Sequence, residues 1–201
     1  MNSFDPQAYG PVFAKLLTTE RRRPLDAGQP DKGAKAALKE LTVDAAFAHL
    51  RSGEQRSIAD SEMAECCVAG VWLLYDFLDE SHTISQSIDT STGSFWHAIM
   101  HRREGDFSNA KYWFRHVGQH PALEPIGQRA AELAAIRGAE SAINQLTTGG
   151  AWDPFAFVDL CQAVARGKSD ARDLCLDIQQ AEWELLFDDC YGEVVRVSGT
   201  A

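Results

Sequence analysis

The sequence predicts an all-α protein, a single-domain bundle of about seven to nine helices with a helical hairpin at its centre. Apolar residues recur at intervals of three and four in most segments, which is the spacing of one helix face. Serine, threonine, aspartate and proline stand where these segments begin, and glycine stands where several end. A convincing alternation of apolar and polar residues, typical of strands, is missing apart from one short stretch near residue 195. A chain of 201 residues, 45% of them hydrophobic, fits one domain over residues 1–201.

The first third of the chain predicts short helices around one irregular segment, followed by a long buried helix. The predicted elements are an amphipathic helix, a surface loop, one or two helices and the clearest helix of the chain, at residues 6–18, 19–33, 34–50 and 61–78. Thr42 divides the third segment if it caps a second helix. Ser61 is predicted to cap the long helix, whose first turn carries the acidic residues that the helix dipole favours.

The rest of the chain predicts a hairpin followed by a series of helices. A short helix at residues 80–88 and a turn at 89–93 precede the hairpin of residues 94–121. Gly105 ends its first helix and Asp106 caps its second, so the two helices cover residues 94–104 and 107–117. Helices are also predicted at residues 123–137, 140–146, 153–165 and 170–189.

Charge and cysteine content exclude several classes of partner. A formal net charge of -10 argues against nucleic acid and acidic membranes as partners, and the short run Arg21-Arg22-Arg23 is interpreted as part of a solvated loop. The strongest apolar run, residues 66–75, is half the length of a membrane span. Five cysteines without a CxxC pattern, and an N-terminus without the features of a signal peptide, indicate reduced, buried thiols in a cytoplasmic protein.

Residues 94–121 are the candidate functional segment. They contain four of the six histidines and two of the five tryptophans. On helical wheels, each helix of the hairpin carries an apolar face and a separate polar stripe. His97, His101 and Glu104 form the first stripe, and Asn109, Tyr112 and His116 form the second.

An antiparallel turn at the glycine would place His97 near His116, and His101 near Asn109 and Tyr112. If both stripes face the same side, they line a pocket that binds a small polar or anionic ligand. Arg102, Arg103 and Lys111, beside Asp106, are the candidate groups for holding an anionic substituent of that ligand. Arg103 falls within the apolar arc of its helix, so it must either extend to the surface or meet a buried acid.

Two chemistries are compatible with this pocket. His97 and His101 are four residues apart, so both imidazoles can bind one divalent metal such as Zn²⁺. The third ligand would be His116, His120, His82 or a remote acid, and Ala98 rules out the HExxH pattern. Alternatively, a histidine beside Glu104 or Asp106 can transfer protons in a metal-free hydrolytic reaction.

A different class of function is also open. A helix, a Gly-Asp turn and a second helix with Ala110 and an aromatic residue at its centre resemble a single tetratricopeptide-type hairpin. No second copy follows at the period of about 34 residues that such arrays use. This alternative predicts a module that binds a peptide or protein without catalysis.

The stretch from about Leu73 to Pro121 resembles the signature of a family of uncharacterised bacterial and fungal proteins. The resemblance is carried by LLYDFLDESHTISQSI and GSFWHAIMHRREGDFSNAKYWFRHVGQHP. It covers about a quarter of the chain, and it implies a shared site without naming a reaction.

Overall fold

The computed structural model describes residues 4–51 and 58–196, and it confirms the all-α class. Within these ranges there are eleven α-helices, more than the seven to nine of the predicted bundle. The predicted segment 34–50 is divided into two of them, with Thr42 as the cap of the second. The α-helices are α1 (Gly10–Leu16), α2 (Lys35–Lys39), α3 (Val43–Ala46), α4 (Ser61–Leu74), α5 (Leu78–Ser85), α6 (Ser91–Glu104), α7 (Phe107–Val117), α8 (Leu123–Arg137), α9 (Glu140–Ile143), α10 (Pro154–Ala165) and α11 (Arg172–Val195). Short 3-10 helices cover Pro6–Tyr9 and Ala48–Arg51, and β1 (Thr147–Thr148) pairs antiparallel with β2 (Ala151–Trp152).

The segment 19–33 has no regular secondary structure, as predicted, but its three arginines are held by carboxylates rather than solvated. Arg21 binds Glu184 through Nε at 2.7 Å, Arg22 binds Asp173 and Asp177 at 2.8 Å, and Arg23 binds Asp76. Three of these four carboxylates lie on α11. The basic run therefore fixes the loop against the last helix, and Leu25 is buried beneath it.

The long helix α4 begins and ends differently from the prediction. Asp60, not Ser61, caps it, because its side chain accepts a hydrogen bond from the backbone N–H of Met63 at 3.0 Å. The helix stops at Leu74, since Asp76 adopts a left-handed backbone conformation with φ 63°. This turn reverses the chain and lets α5 begin at Leu78.

The central helix α6 begins three residues earlier than predicted. Thr90 caps it by accepting a hydrogen bond from the N–H of Gly93, so the predicted turn at 89–93 contains the first turn of the helix. Gly93 is required there, because a Cβ atom would lie 2.3 Å from the carbonyl oxygen of Ile88. The hairpin turn is confirmed: Gly105 has φ 87°, and the Asp106 side chain accepts from the N–H of Asn109.

Helix α6 is enclosed by α4, α5 and α7, so its polar residues are buried together with its apolar ones. Every residue from Thr92 to Arg103 is buried. Trp96 packs directly on Gly70 of α4, where a Cβ atom would lie 2.8 Å from the indole ring. Among the described residues, no helix combines the length and apolar character that crossing a membrane requires.

Two adjacent arginines near the end of α6 join it to its neighbours through buried ion pairs. Arg102 forms a two-pronged pair with Glu182 of α11, with Nη1 donating to Oε1 at 3.1 Å, and both side chains are at most 1% exposed. Arg103 donates to Asp76 at 2.6 Å and to the carbonyl oxygen of Asp26 at 2.8 Å. Arg103 thus meets a buried acid, one of its two predicted outcomes.

We expect Glu182→Ala to lower the free energy of unfolding by about 3–5 kcal/mol, because it leaves the Arg102 charge buried without its carboxylate. Urea unfolding followed by circular dichroism measures the change. Removing both charges in Arg102→Met/Glu182→Leu should recover most of the loss. The control is Glu132→Ala in the exposed Arg129–Glu132 pair, with an expected effect under about 1 kcal/mol. Equal losses of stability in Glu182→Ala and Glu132→Ala would contradict the conclusion that Arg102 and Glu182 form a buried ion pair.

Candidate functional site

Three imidazole rings from two helices meet on one side of the hairpin. His82 lies on α5, and His97 and His101 lie one turn apart on α6. The ring centroid of His82 is 4.6 Å from that of His97 and 5.3 Å from that of His101, and the latter two are 4.6 Å apart. The three rings therefore form a compact histidine cluster, which is the name used below for His82, His97 and His101.

His101 is oriented by two neighbouring side chains. Its Nδ1 lies 2.6 Å from Oε1 of Glu104, and because a carboxylate oxygen accepts, Nδ1 is the donor of this hydrogen bond. Nδ2 of Asn109 lies 3.1 Å from Nε2 and 3.4 Å from Nδ1 of the same ring. With Nδ1 donating to Glu104, Nε2 is the ring nitrogen that remains for a further partner.

His97 has no such support. Its side chain is buried with 2% exposure, and neither ring nitrogen has a hydrogen-bond partner among the described residues. The ring is stacked between Trp113, at 4.0 Å, and His101. Burial, reinforced by the neighbouring His101 and His82, lowers the pKa of His97 to about 3. The ring is therefore neutral at physiological pH, and its polar atoms lack the partners that buried nitrogens normally have.

The cluster has the composition of a metal site. One ligand nitrogen from each of the three histidines lies within 4.8 Å of the other two. A second group, which shares His101, adds an oxygen from Glu104 and one from Asp106 within the same distance. Hydrogen bonds from the N–H of Asn109 and from the side chain of Ser108 lower the pKa of Asp106, so this carboxylate is ionised.

The two predicted polar stripes meet only in part. His101 contacts Asn109, as predicted, but Tyr112 is 46% exposed and His116 is exposed, with Nδ1 near the carbonyl oxygen of Tyr112. The expected approach of His97 to His116 is wrong, because the Trp113 ring contacts both imidazoles and occupies the place between them. From the second stripe, only Asn109 contacts the histidine cluster. The centre below means this cluster together with Glu104, Asp106 and Asn109.

The cationic side chains of the hairpin are directed elsewhere. Arg102 and Arg103 are buried on Glu182 and Asp76, which corrects the expectation that they hold an anionic ligand. Lys111 pairs with Asp159 at the surface of α10. The carboxylates of Glu104 and Asp106, by contrast, belong to the centre itself.

Two site residues were not singled out by the sequence analysis. His82 was one of four alternatives for a third ligand, and no role in the site was given to Trp113. The position of His82 depends on the reversal at Asp76, which carries no standard turn sequence. The sequence carried one signal for this stacking. Trp113 precedes His116 by three positions, and its helix pairs with the helix that bears His97 and His101.

A groove of about 1430 Å³ lies beyond the C-terminal end of α7 and is separate from the histidine cluster. Aromatic side chains of Phe114, Trp152 and Phe155 line it, together with His120. His120 is held there by Thr92, at 3.0 Å from Nε2, and by the N–H of Ala122, which donates to Nδ1. Both nitrogens of His120 are thus engaged, which rules it out as the third member of the cluster.

In comparisons with family models, curated proteins and solved structures, the chain has no match. The resemblance of residues 73–121 to a bacterial and fungal family therefore stays a prediction. The properties of the centre follow from its own geometry.

The low pKa of His97 predicts an acid-dependent loss of stability. An unfolded histidine takes up a proton near pH 6.5, whereas folded His97 stays neutral until about pH 3, so stability falls as the pH falls below 6.5. This one group should account for a loss of about 2 kcal/mol between pH 7.5 and pH 5. Urea unfolding at both pH values measures it.

The His97→Gln variant should show a correspondingly smaller loss over the same interval. His116→Gln is the matched control, because His116 is an exposed histidine of the same hairpin, and it should retain the full wild-type loss. An unchanged pH dependence in His97→Gln would show that this ring is not held neutral in the folded protein.

Proposed function

We propose that the protein binds a small polar molecule at the histidine cluster and hydrolyses it, with His101 as the general base. The observation that carries the proposal is the buried His97, whose two ring nitrogens lack partners beside an oriented histidine–carboxylate pair. A buried nitrogen left without a partner costs about 1–3 kcal/mol, so a bound molecule that supplies one is favoured at this position.

His101 has the arrangement of a general base. Glu104 accepts the Nδ1 proton, which leaves the Nε2 lone pair to take a proton from an attacking water molecule. The carboxylate then stabilises the imidazolium that forms, and the ring returns the proton to the leaving group. Asn109 lies beside Nε2 and can donate its amide N–H to an oxygen of the bound molecule.

The charges of the centre favour a polar rather than an anionic ligand. Its carboxylates, Glu104 and Asp106, lie within 4.8 Å of a nitrogen of His101. The nearest arginines along the chain are neutralised by Glu182 and Asp76. Within residues 4–51 and 58–196, the neighbouring arginines Arg102 and Arg103 are therefore not available to bind an anionic ligand at this centre.

A reducing compartment such as the cytoplasm suits the proposal. All five cysteines are buried and free, and desolvation contributes to raising the pKa of the Cys67 and Cys161 thiols. The localisation remains part of the proposal.

A panel of chromogenic esters, amides and phosphoesters, assayed at neutral pH, tests the proposed activity. We expect wild-type protein to hydrolyse at least one class, and His101→Ala to reduce kcat about 100-fold or more, the usual contribution of a general base. Glu104→Gln should cause a smaller loss, because the amide oxygen can still accept the Nδ1 proton. Far-UV circular dichroism establishes that each variant is folded.

His116→Ala is the control, because this histidine belongs to the same hairpin but faces solvent. It should keep wild-type activity. The alternative function, a peptide-binding helical module, predicts no hydrolysis in the panel. Hydrolysis that survives His101→Ala would likewise contradict the proposal.

A further inference from the structure

We propose that His82, His97 and His101 bind one divalent transition-metal ion, which is the missing partner of the buried His97. The inference rests on the proposed function in that it concerns the same centre, and it changes one role there: Nε2 of His101 would be a ligand of the ion, so water bound to the ion, and not this nitrogen, would supply the nucleophile. Metal binding can be measured without any substrate. In this proposal His82 is the third ligand of the metal ion.

The first argument is the spacing of the donor atoms. Four ligands around a tetrahedral ion at 2.0–2.1 Å are about 3.4 Å apart. The three ligand nitrogens already lie within 4.8 Å of one another, without an ion to hold them together. Small rotations of the rings close the remaining gap, and His82, which is only half-buried, has the most freedom to make them.

The second argument is that the ring of His97 supplies a free donor atom. A metal ligand must offer a lone pair. His97 is buried, and neither of its ring nitrogens is occupied by another group among the described residues. A water molecule could also partner such a nitrogen, and that outcome is distinguished by the experiment below.

The third argument is the support given to His101. Histidine ligands of metals usually donate their other ring N–H to a carboxylate, which fixes the ring and makes the ligating nitrogen more basic. Glu104 accepts from Nδ1 of His101 at 2.6 Å, so Nε2 is left as the ligating atom. Nδ2 of Asn109 lies 3.1 Å from Nε2 and must turn aside when the ion enters.

The fourth argument is the local charge. The carboxyl groups of Glu104 and Asp106 each place an oxygen within 4.8 Å of a nitrogen of His101, and carboxyl oxygens attract a cation. The adjacent positive charges of Arg102 and Arg103 do not oppose it, because each guanidinium is paired with a buried carboxylate.

The three imidazole ligands indicate which metals the site would bind and whether its role would be catalytic or structural. Three neutral imidazoles suit Zn²⁺, Co²⁺, Ni²⁺ or Cu²⁺, whereas Mg²⁺ and Ca²⁺ prefer oxygen ligands. Three protein ligands leave one position free for water, as in catalytic rather than structural zinc sites.

Titration of metal-free protein with Co²⁺ tests the inference, because tetrahedral Co²⁺ has an intense visible spectrum. We expect one ion per chain in wild-type protein, displacement of Co²⁺ by Zn²⁺, and no binding of Mg²⁺. His97→Ala and His82→Ala should both abolish the signal. His82 is on the half-buried side of the cluster, so His82→Ala keeps the test valid even if His97→Ala does not fold.

Two further variants separate a specific site from chance binding by surface histidines. Glu104→Gln should weaken the affinity for Zn²⁺ about 10–100-fold, the usual effect of losing a carboxylate behind a histidine ligand. His116→Ala should bind as wild type. The inference is overturned if wild-type protein binds no Co²⁺, which is the result expected when a water molecule partners His97. It is also overturned if the His82→Ala variant binds Co²⁺ as well as wild-type protein does.

The metal and the hydrolytic activity can fail independently. Metal binding with the expected variant pattern, but without hydrolysis in the panel, keeps the metal site and ends the proposed function. Hydrolysis that depends on His101 and continues in the presence of a chelator supports the proposed function and contradicts the metal site.

Discussion

The orientation of α6 depends on two buried ion pairs made by neighbouring residues of this helix. Arg102 reaches Glu182 on α11, and Arg103 reaches Asp76 in the turn between α4 and α5. Successive side chains on a helix point about 100° apart, so the two pairs together allow only one rotation of α6 about its axis. That rotation determines where His97 and His101 point, which makes these structural contacts a condition for the site.

Asp76 connects the site to a second part of the chain. It accepts from Arg103 and Arg23, and its left-handed backbone starts the reversal that brings α5 back along α6. The same residue therefore anchors the loop 19–33, fixes the end of α6 and carries His82 into contact with His97. A buried charge is strongly destabilising when its partner is lost. Other arrangements of the loop, α5 and α6 that separate Asp76 from its arginines are therefore disfavoured.

The parts of the structure that were predicted correctly depend on local interactions. Gly105 and Asp106 specify the hairpin turn, and Thr42 caps its helix, through contacts within a few residues. The helical wheel was reliable for the apolar faces but could not show that α6 is buried on all sides, which depends on α4 and α5. The arginines were assigned to a ligand because their partners, Glu182 and Asp76, are distant in sequence and have no local pattern.

Sequence reasoning named four side chains that lie together, His97, His101, Glu104 and Asn109, but it could not fix the third ring or the contacts of Trp113. A density of histidines and aromatic rings is visible in the sequence, whereas the third ring comes from another helix after a turn that only the folded chain reveals. Trp113 then decides which histidines meet, since its ring stacks on His97 at 4.0 Å and keeps His116 at the surface. A leucine or phenylalanine at position 97 would pack between Trp113 and His101 without a buried, unpartnered nitrogen. An imidazole is therefore a costly choice for a purely structural role at this position.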